Sequence, residues 1–410
     1  MWPLESVLKR AVAEIIVERE LWELLATGKP LRLKQGFDPT YPDLHLGHAV
    51  GLRKLRQLQD HGHEVILIVG DWTAQIGDPS GRSKTRPMLS ADDVRRNAET
   101  YLRQFFSIVD RSRTQVVWQS EWFGAFNLAD VIRLTSKFTV AQLLAREDFA
   151  NRYAANEPIA ITELLYPLLQ GYDSVQIQSD VEFGGTDQKF NCLVGRELQG
   201  MVGQRPQQVF LVPILTGTDG VQKMSKSLGN FIALEDPPAD MYGKVMSLRD
   251  DLIGLYFELV TDVPDSELED IRRALAGGRT NPRDLKMRLA REIVAQFHSP
   301  EAARTAEDHF VRVYQRRQDP TEVPEHRVDF NSVARNGRGP DGSIEVSLPD
   351  LLLGAGLVKS KNEVRQLIAQ RGVEVDAERV DQPNWRIRSG SLIRAGKTRF
   401  LRIVDSAGDA

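Results

Sequence analysis

The sequence predicts an α/β fold: a parallel sheet with helices on both faces, then a helical region, then a small α+β module. Three observations predict it. Through the first two-thirds of the chain, short β-branched or apolar runs alternate with longer amphipathic ones. After Asn230 the strand pattern stops. A polar, glycine-rich stretch at 331–343 then precedes a final segment with a pattern of its own.

Residues 1–22 mix apolar side chains with Lys9, Arg10, Glu14, Glu18, Arg19 and Glu20, which reads as an amphipathic helix and not as a signal peptide. Strands are expected at 31–37, 64–69, 115–118, 180–183 and 208–214, bounded by Gly, Asp or Pro. Helices are expected between them at 46–60, 92–106, 163–175 and 187–198. Ligands of such a sheet bind at the carboxyl ends of its strands. Residues 236–318 are helical in pattern, broken at Pro237-Pro238, Asn281-Pro282 and Ser299-Pro300. The expected domains are therefore 1–230, 231–330, a linker at 331–346 and a module at 347–410.

Composition narrows the class. A length of 410 residues exceeds one typical core. The share of 41% hydrophobic and 27% charged residues is ordinary for a soluble protein, and no run is long enough to span a bilayer. A single cysteine, Cys192, excludes an internal disulfide framework and fits a reducing cytosol, so a cytoplasmic location without a membrane partner is expected. The formal charge of −4 is unevenly spread. Residues 347–410 carry eleven Lys/Arg against eight Asp/Glu, which points weakly to a polyanion at that end.

Two segments carry chemistry. Asp38-Pro39-Thr40-Tyr41-Pro42-Asp43-Leu44-His45-Leu46-Gly47-His48 follows a strand candidate and opens a helix, which aims backbone N–H groups at an anion. His45 and His48 share one face of the first turn, and Gly47 removes a side chain where a flat base could lie. Alone, such a pair is also a capping pair or half a metal site, but one cysteine and no third ligand nearby argue against zinc. Lys223-Met224-Ser225-Lys226-Ser227 follows a Gly-rich stretch, where mobile ammonium groups suit a leaving pyrophosphate. On its own it is equally a solvated basic turn. A third basic turn contains Arg82 and Arg86.

Taken together and in this order, His45-Leu46-Gly47-His48 and Lys223-Met224-Ser225-Lys226-Ser227 resemble the two signature motifs of class I aminoacyl-tRNA synthetases, the first with Leu for the usual Ile. The resemblance covers nearly the whole chain. It implies a Rossmann-like catalytic domain at 1–230 and an α-helical, anticodon-side domain at 231–330. It also implies ATP as a substrate with Mg²⁺, no tightly bound cofactor and no protein metal site.

The predicted helix at 163–175 places Tyr166, Gln170 and Asp173 on one face. A polar stripe there is either a solvent-exposed face or a buried wall that needs partners. Tyr166-Pro-Leu-Leu-Gln170-Gly-Tyr-Asp173, with Phe183-Gly184-Gly185-Thr186-Asp187-Gln188, is similar to the tyrosine-binding segment of bacterial tyrosyl-tRNA synthetases. Carried over position by position, that family implies Asp78, Tyr166 and Gln170 around the substrate's ammonium group and Asp173 on its phenolic hydroxyl. It implies Asp38, Gly47, Gly184, Asp187 and Gln188 around the nucleotide, with Thr40, His45 and His48 on phosphate and ribose. Lys223 and Lys226 would follow the pyrophosphate, helped by Arg82 and Arg86.

The chain departs from that family at Lys34, where a tyrosine usually shares the hydroxyl, at Gln35, usually a cysteine near the ribose, at Gly51, usually a threonine, and at Glu182, usually a glutamine. Lys34 could pair with Asp173, donate to the hydroxyl, or face solvent. The nearest alternative is a tryptophanyl-tRNA synthetase. More distant is a non-catalytic RNA-binding paralogue. The tail is similar to the small RNA-binding module of bacterial tyrosyl-tRNA synthetases. Two short helices there leave Lys361, Arg365 and Arg371 free for the phosphates of tRNA(Tyr). A homodimer is expected from the family alone.

Overall fold

The computed structural model describes all residues except 41–42, 80–89, 279, 316–322, 397–398 and 407–410. The chain divides into two compact units, Met1–Arg304 and Thr305–Ala410.

The first unit is built on a six-stranded sheet. Its strands are β1 (Glu14–Ile16), β2 (Arg32–Phe37), β3 (Glu64–Val69), β4 (Thr114–Trp118), β5 (Val181–Gly185) and β6 (Gln208–Val212), in the order β1-β6-β5-β2-β3-β4. Every pairing is parallel except β1 with β6. From β2 the chain winds outward one way to β3 and β4, then returns and winds the other way through β5 and β6. The winding reverses between β2 and β5, where their carboxyl ends leave a crevice. Leu33, Val65, Leu67, Val181, Val209 and Phe210 are each at most 1% exposed. Such near-continuous apolar strands are what a sheet covered on both faces demands.

The strands and helices expected between residues 31 and 214 all form, with no end shifted by more than three residues. The amino terminus differs. Residues 1–22 are not one helix: Leu4–Val7 and Glu18–Ala26 are helical and flank the antiparallel edge strand β1. Ile15 and Ile16 sit in β-branched sequence between two charged clusters, and the exposed edge of β6 offers them a ladder.

The helices Ile161–Ile177 and Lys189–Met201 pack closely because glycines face each other. A Cβ on Gly171 would meet Val194 Cγ1 at 2.9 Å and the Gly195 nitrogen at 3.1 Å. Beyond the sheet, the helices Pro238–Met246, Ile253–Val260, Asp265–Ala276 and Pro282–Phe297 follow the expected breaks. Pro238 and Pro282 each occupy a first-turn position, where a missing N–H costs nothing. Arg10 ties the amino terminus to this region, donating to the carbonyls of Phe257 (2.9 Å), Glu258 (3.1 Å), Thr261 (3.0 Å) and Val263. It thereby satisfies the open carboxyl end of the Ile253–Val260 helix.

The second unit contains a five-stranded and a two-stranded sheet. Its strands are β7 (Glu325–Val328), β8 (Ile344–Ser347), β9 (Val373–Val375), β10 (Glu378–Arg379), β11 (Asn384–Ile387), β12 (Leu392–Ala395) and β13 (Arg399–Asp405). Here the expected linker at 331–346 needs correction. Phe330 is 1% exposed and belongs to this unit's core, β8 pairs with β11, and β7 lies parallel to β13. The stretch is polar because it is mostly turns, with Gly337 and Gly342 at positive φ. Among the described residues, no helix is long and apolar enough to cross a membrane.

Candidate active site

A cavity of about 410 Å³ opens at the crevice between the carboxyl ends of β2 and β5. It is lined by Asp38, Thr40, His45, Gly47, His48, Asp78, Tyr166, Gln170, Asp173, Gly184, Asp187, Gln188, Lys223 and Lys226. Residues singled out from widely separated stretches of sequence thus meet in one place. Arg82 and Arg86 lie outside the described residues.

One end of the cavity is basic. His45 caps the Leu46–Asp60 helix, its Nδ1 accepting from the Gly47 N–H at 3.2 Å, while the His45 N–H donates to His48 Nδ1 at 3.2 Å. Burial, aided by the neighbouring His48 and Lys226, holds the His45 imidazole far below its usual range. Burial and Lys226 bring His48 down to about 4. Both rings are therefore neutral near pH 7. With each Nδ1 accepting, each proton sits on Nε2, so both rings present a donor suited to phosphate or ribose oxygen. A Cβ on Gly47 would stand 3.0 Å from the His45 ring, so the glycine is what lets His45 fold over the helix end.

The basic loop is laced to this helix start. The Leu46 N–H donates to the Ile232 carbonyl at 3.0 Å, and Leu234 N–H to the Leu44 carbonyl at 3.0 Å. Asn230, 4% exposed, accepts from Ser225 N–H at 2.8 Å and donates to Asp219 and to the Lys223 carbonyl. Lys226 Nζ donates to the Asp43 carbonyl, and burial brings its pKa down to about 8. Lys223 Nζ pairs with Asp187 Oδ2 at 3.1 Å. Two ammonium groups and two imidazole donors thus line the same cavity.

The remaining lining is rich in carboxylates. Asp38 accepts from the Tyr166 hydroxyl (2.8 Å) and from Thr73 Oγ1 (2.7 Å). Asp78 accepts from Gln188 Nε2 at 2.7 Å and lies 3.4 Å from Arg146. Gln170 Oε1 accepts from Asn191 Nδ2 at 3.0 Å. Asp173 is 2% exposed, with Gln119 Nε2 on one oxygen at 2.8 Å and Trp122 Nε1 on the other at 3.2 Å. Burial raises its pKa to about 7, while Lys34 and these donors pull it down. The polar stripe is therefore a buried wall with partners, and not a solvent face.

Lys34 does not line the cavity. It is 0% exposed, and its ammonium pairs with Glu182 at 2.8 Å. None of the three positions open to it from sequence was this one. Two of the four departures from the family pattern explain each other, because a buried ammonium on β2 needs a carboxylate on the adjacent strand, and Lys34 registers with Glu182 across β2 and β5.

Sequence reasoning missed Thr73, Gln119, Trp122, Arg146 and Asn191. For two of them a signal was present. Gln119 and Trp122 follow directly on β4, and the residues beyond the carboxyl end of a parallel strand are where ligand contacts arise.

Among the described residues there is no group of three or more His, Cys, Asp or Glu that could hold a metal ion. The family described as "tRNA synthetases class I (W and Y)" matches residues 26–315, and the S4 domain matches residues 346–393. A tyrosine–tRNA ligase from Dehalococcoides mccartyi is 57% identical over 401 residues, covering 98% of this chain and 98% of that protein. One from Moorella thermoacetica is 50% identical (97% and 94% covered), and one from Thermotoga maritima 49% (98% of each). Among solved structures, a tyrosyl-tRNA synthetase from Archaeoglobus fulgidus complexed with L-tyrosine shares the fold at a TM-score of 0.61. It is 24% identical, and the match covers 74% of this chain and 98% of that one. A C-terminally truncated mitochondrial tyrosyl-tRNA synthetase from Coccidioides posadasii matches at 0.60, with 23% identity, 74% of this chain and 90% of that one.

Proposed function

The chain belongs to the class I tRNA synthetases of the tryptophan and tyrosine branch, and from that premise we infer that it is a tyrosine–tRNA ligase. It joins tyrosine to ATP, releasing pyrophosphate, and passes the tyrosyl group to tRNA. The observation that carries the choice of amino acid is the likeness to tyrosine–tRNA ligases along the whole chain, at 57% identity over 98% of it. Asp173 agrees with that choice, since a buried acceptor lining the cavity and held by two donors suits a phenolic hydroxyl. The S4 domain gives the chain a second RNA-facing module, and full-length tyrosine enzymes are its relatives.

The mechanism follows from the two ends. Asp78, Tyr166 and Gln170 take the ammonium group, and Asp173 accepts from the phenol, which leaves the substrate carboxylate pointing toward the mouth. Asp38, Gly184, Asp187 and Gln188 hold the nucleotide, and Thr40 grips the outer phosphate. A carboxylate oxygen attacks the α-phosphorus and the bond to pyrophosphate breaks. Charge then grows on the leaving oxygens, where the Nε2–H donors of His45 and His48 and the ammonium groups of Lys223 and Lys226 are available. A ribose hydroxyl at the 3′ end of tRNA next attacks the tyrosyl carbonyl and expels AMP. Alignment and charge stabilisation do the work, with no acid–base pair required. Mg²⁺ would come with ATP, held through its phosphates, and would neutralise part of their charge. Arg82 and Arg86 belong to the phosphate side of this reading.

The second unit binds tRNA(Tyr). Lys361, Arg365 and Arg371 are exposed on or beside the Lys361–Ala369 helix, while Val364 and Ile368 are buried beneath it. The helices Pro238–Met246 to Pro282–Phe297 form the anticodon side. Leu128 (74% exposed), Ile132 (58%), Val140 (62%) and Ile161 (79%) leave an apolar surface that supports a homodimer. The enzyme works with the translation apparatus in the cytoplasm. The deciding experiment is ATP–pyrophosphate exchange with each of the twenty amino acids. Tyrosine alone should drive it strongly, and exchange driven best by tryptophan would sink the reading.

A further inference from the structure

We propose that the buried Lys34–Glu182 pair is a positioning device that fixes the Gln170 side chain with its carbonyl oxygen toward the substrate's ammonium group. The inference deepens the function given above and rests on its placement of the amino acid beside Gln170.

Lys34 donates to the Gln170 carbonyl (2.7 Å) and to Ser174 Oγ (2.7 Å), and its ammonium is paired with Glu182 Oε1 at 2.8 Å. Glu182 Oε1 also accepts from Gln170 Nε2 at 3.1 Å. Its Oε2 accepts from Gln207 Nε2 and from Ser174 Oγ at 3.3 Å. Neither side chain is more than 1% exposed. A buried ion pair of this kind is a poor stabilising device compared with apolar residues of the same volume. What it secures here is orientation.

A carboxylate only accepts, so the end of the Gln170 amide that faces Glu182 must be the NH₂. Its Oε1 must then face the other way, toward Asn191 Nδ2 and the cavity that Gln170 lines. An ammonium group has three donors and no acceptor, and needs that oxygen. A neutral glutamine at 182 would accept either end of the amide and would leave the turn undecided. Lys34 meanwhile fixes the backbone of the same residue, so Gln170 is held at main chain and side chain together. Glu182 also cancels the Lys34 charge, which would otherwise stand behind the Gln170 turn and repel the substrate's own cation. At the hydroxyl end, Asp173 takes its hydrogen bonds from Gln119 and Trp122. The network leaves no slack: a Cβ on Gly195 would meet Ser174 Oγ and Gln207 Nε2 at 2.8 Å and Glu182 Oε2 at 3.1 Å.

The test compares three ligands on the full chain by calorimetry: tyrosine, tyramine (ammonium, no carboxylate) and 3-(4-hydroxyphenyl)propionate (carboxylate, no ammonium). Glu182→Gln should weaken tyrosine and tyramine about tenfold or more, as expected for a misplaced hydrogen bond to a charge. It should leave 3-(4-hydroxyphenyl)propionate and the KM for ATP within about twofold. The double variant Lys34→Met/Glu182→Gln buries no net charge, so it answers even if Glu182→Gln does not fold. It should keep a several-fold loss confined to the two ammonium ligands, because the Gln170 amide is free to turn. Equal loss of all three ligands would reduce the pair to a strut for the pocket wall. No loss in either variant would remove it from substrate binding. A parent enzyme that fails to activate tyrosine would sink the functional reading instead, which keeps the two failures apart.

Discussion

Half-buried Lys226 gives up its proton more readily than a surface lysine, at about pH 8, because burial penalises the cation. The ammonium form is the one that can follow pyrophosphate, so kcat/KM for ATP should fall as pH rises through about 8. Lys226→Arg should carry that decline to higher pH, since a guanidinium stays charged. An identical pH profile in the arginine variant would assign the decline elsewhere. Lys226→Ala should slow adenylate formation about a hundredfold while tyrosine binding hardly changes, because the partner charge exists only in the transition state. An unaltered exchange rate would take Lys226 out of the mechanism. Asp173→Ala belongs to the same scale. It should cripple tyrosine activation and narrow the lead of tyrosine over phenylalanine, measured by pyrophosphate exchange with both. Tyrosyl-tRNA synthetases are themselves the standing illustration of such rejection, so the prediction here is of its direction alone. Undiminished preference in the variant would place the hydroxyl reader elsewhere. Residues of this kind were legible through the motifs and the family resemblance they carry, and the fold gathers them into one cavity. Lys34 was not, because its partner Glu182 lies far along the chain on another strand, and only the register of β2 against β5 brings the two together.

At the scale of elements, alternation and helix periodicity located the parallel strands and the helices around them, since each buries one continuous apolar surface. Short edge strands escape that logic. β1 has three residues and owes its existence to the open edge of β6, which no local pattern announces. The stretch 331–346 misled for the opposite reason: turn-rich sequence reads as a linker, whereas Phe330, Ile344 and Val346 anchor it in a core. Arg10 offers an element-scale test. Its guanidinium, 8% exposed, closes the carboxyl end of the Ile253–Val260 helix through four carbonyls. Arg10→Met should therefore lower stability by about 3 kcal/mol, because buried carbonyls lose charged donors. Thermal unfolding would read this as a drop in Tm with the exchange reaction intact at low temperature. An unchanged Tm would show that water satisfies those carbonyls equally well.

The cavity residues and the S4 domain fall in different units, and the chain can be cut between the units only where no strand is orphaned. A stop at Gly342, attractive from composition, would keep β7 and Phe330 while removing β13 and β11, their partners and neighbours in the core. Such a chain should aggregate, since it exposes an unpaired strand and an apolar face. A stop after Gln315, where the synthetase family match ends, leaves the first unit whole. That shorter enzyme should form tyrosyl-adenylate within about twofold of the full chain, because no cavity residue is lost. It should charge tRNA at least about a hundredfold more slowly, since Lys361, Arg365 and Arg371, the residues proposed to meet tRNA phosphates, go with the second unit. The remaining charging should depend less steeply on salt than in the full chain, because fewer phosphates are neutralised. Exchange and charging measured side by side on the same preparation decide the matter. If the shortened enzyme charges tRNA as fast as the full chain, the second unit is not its RNA-binding module.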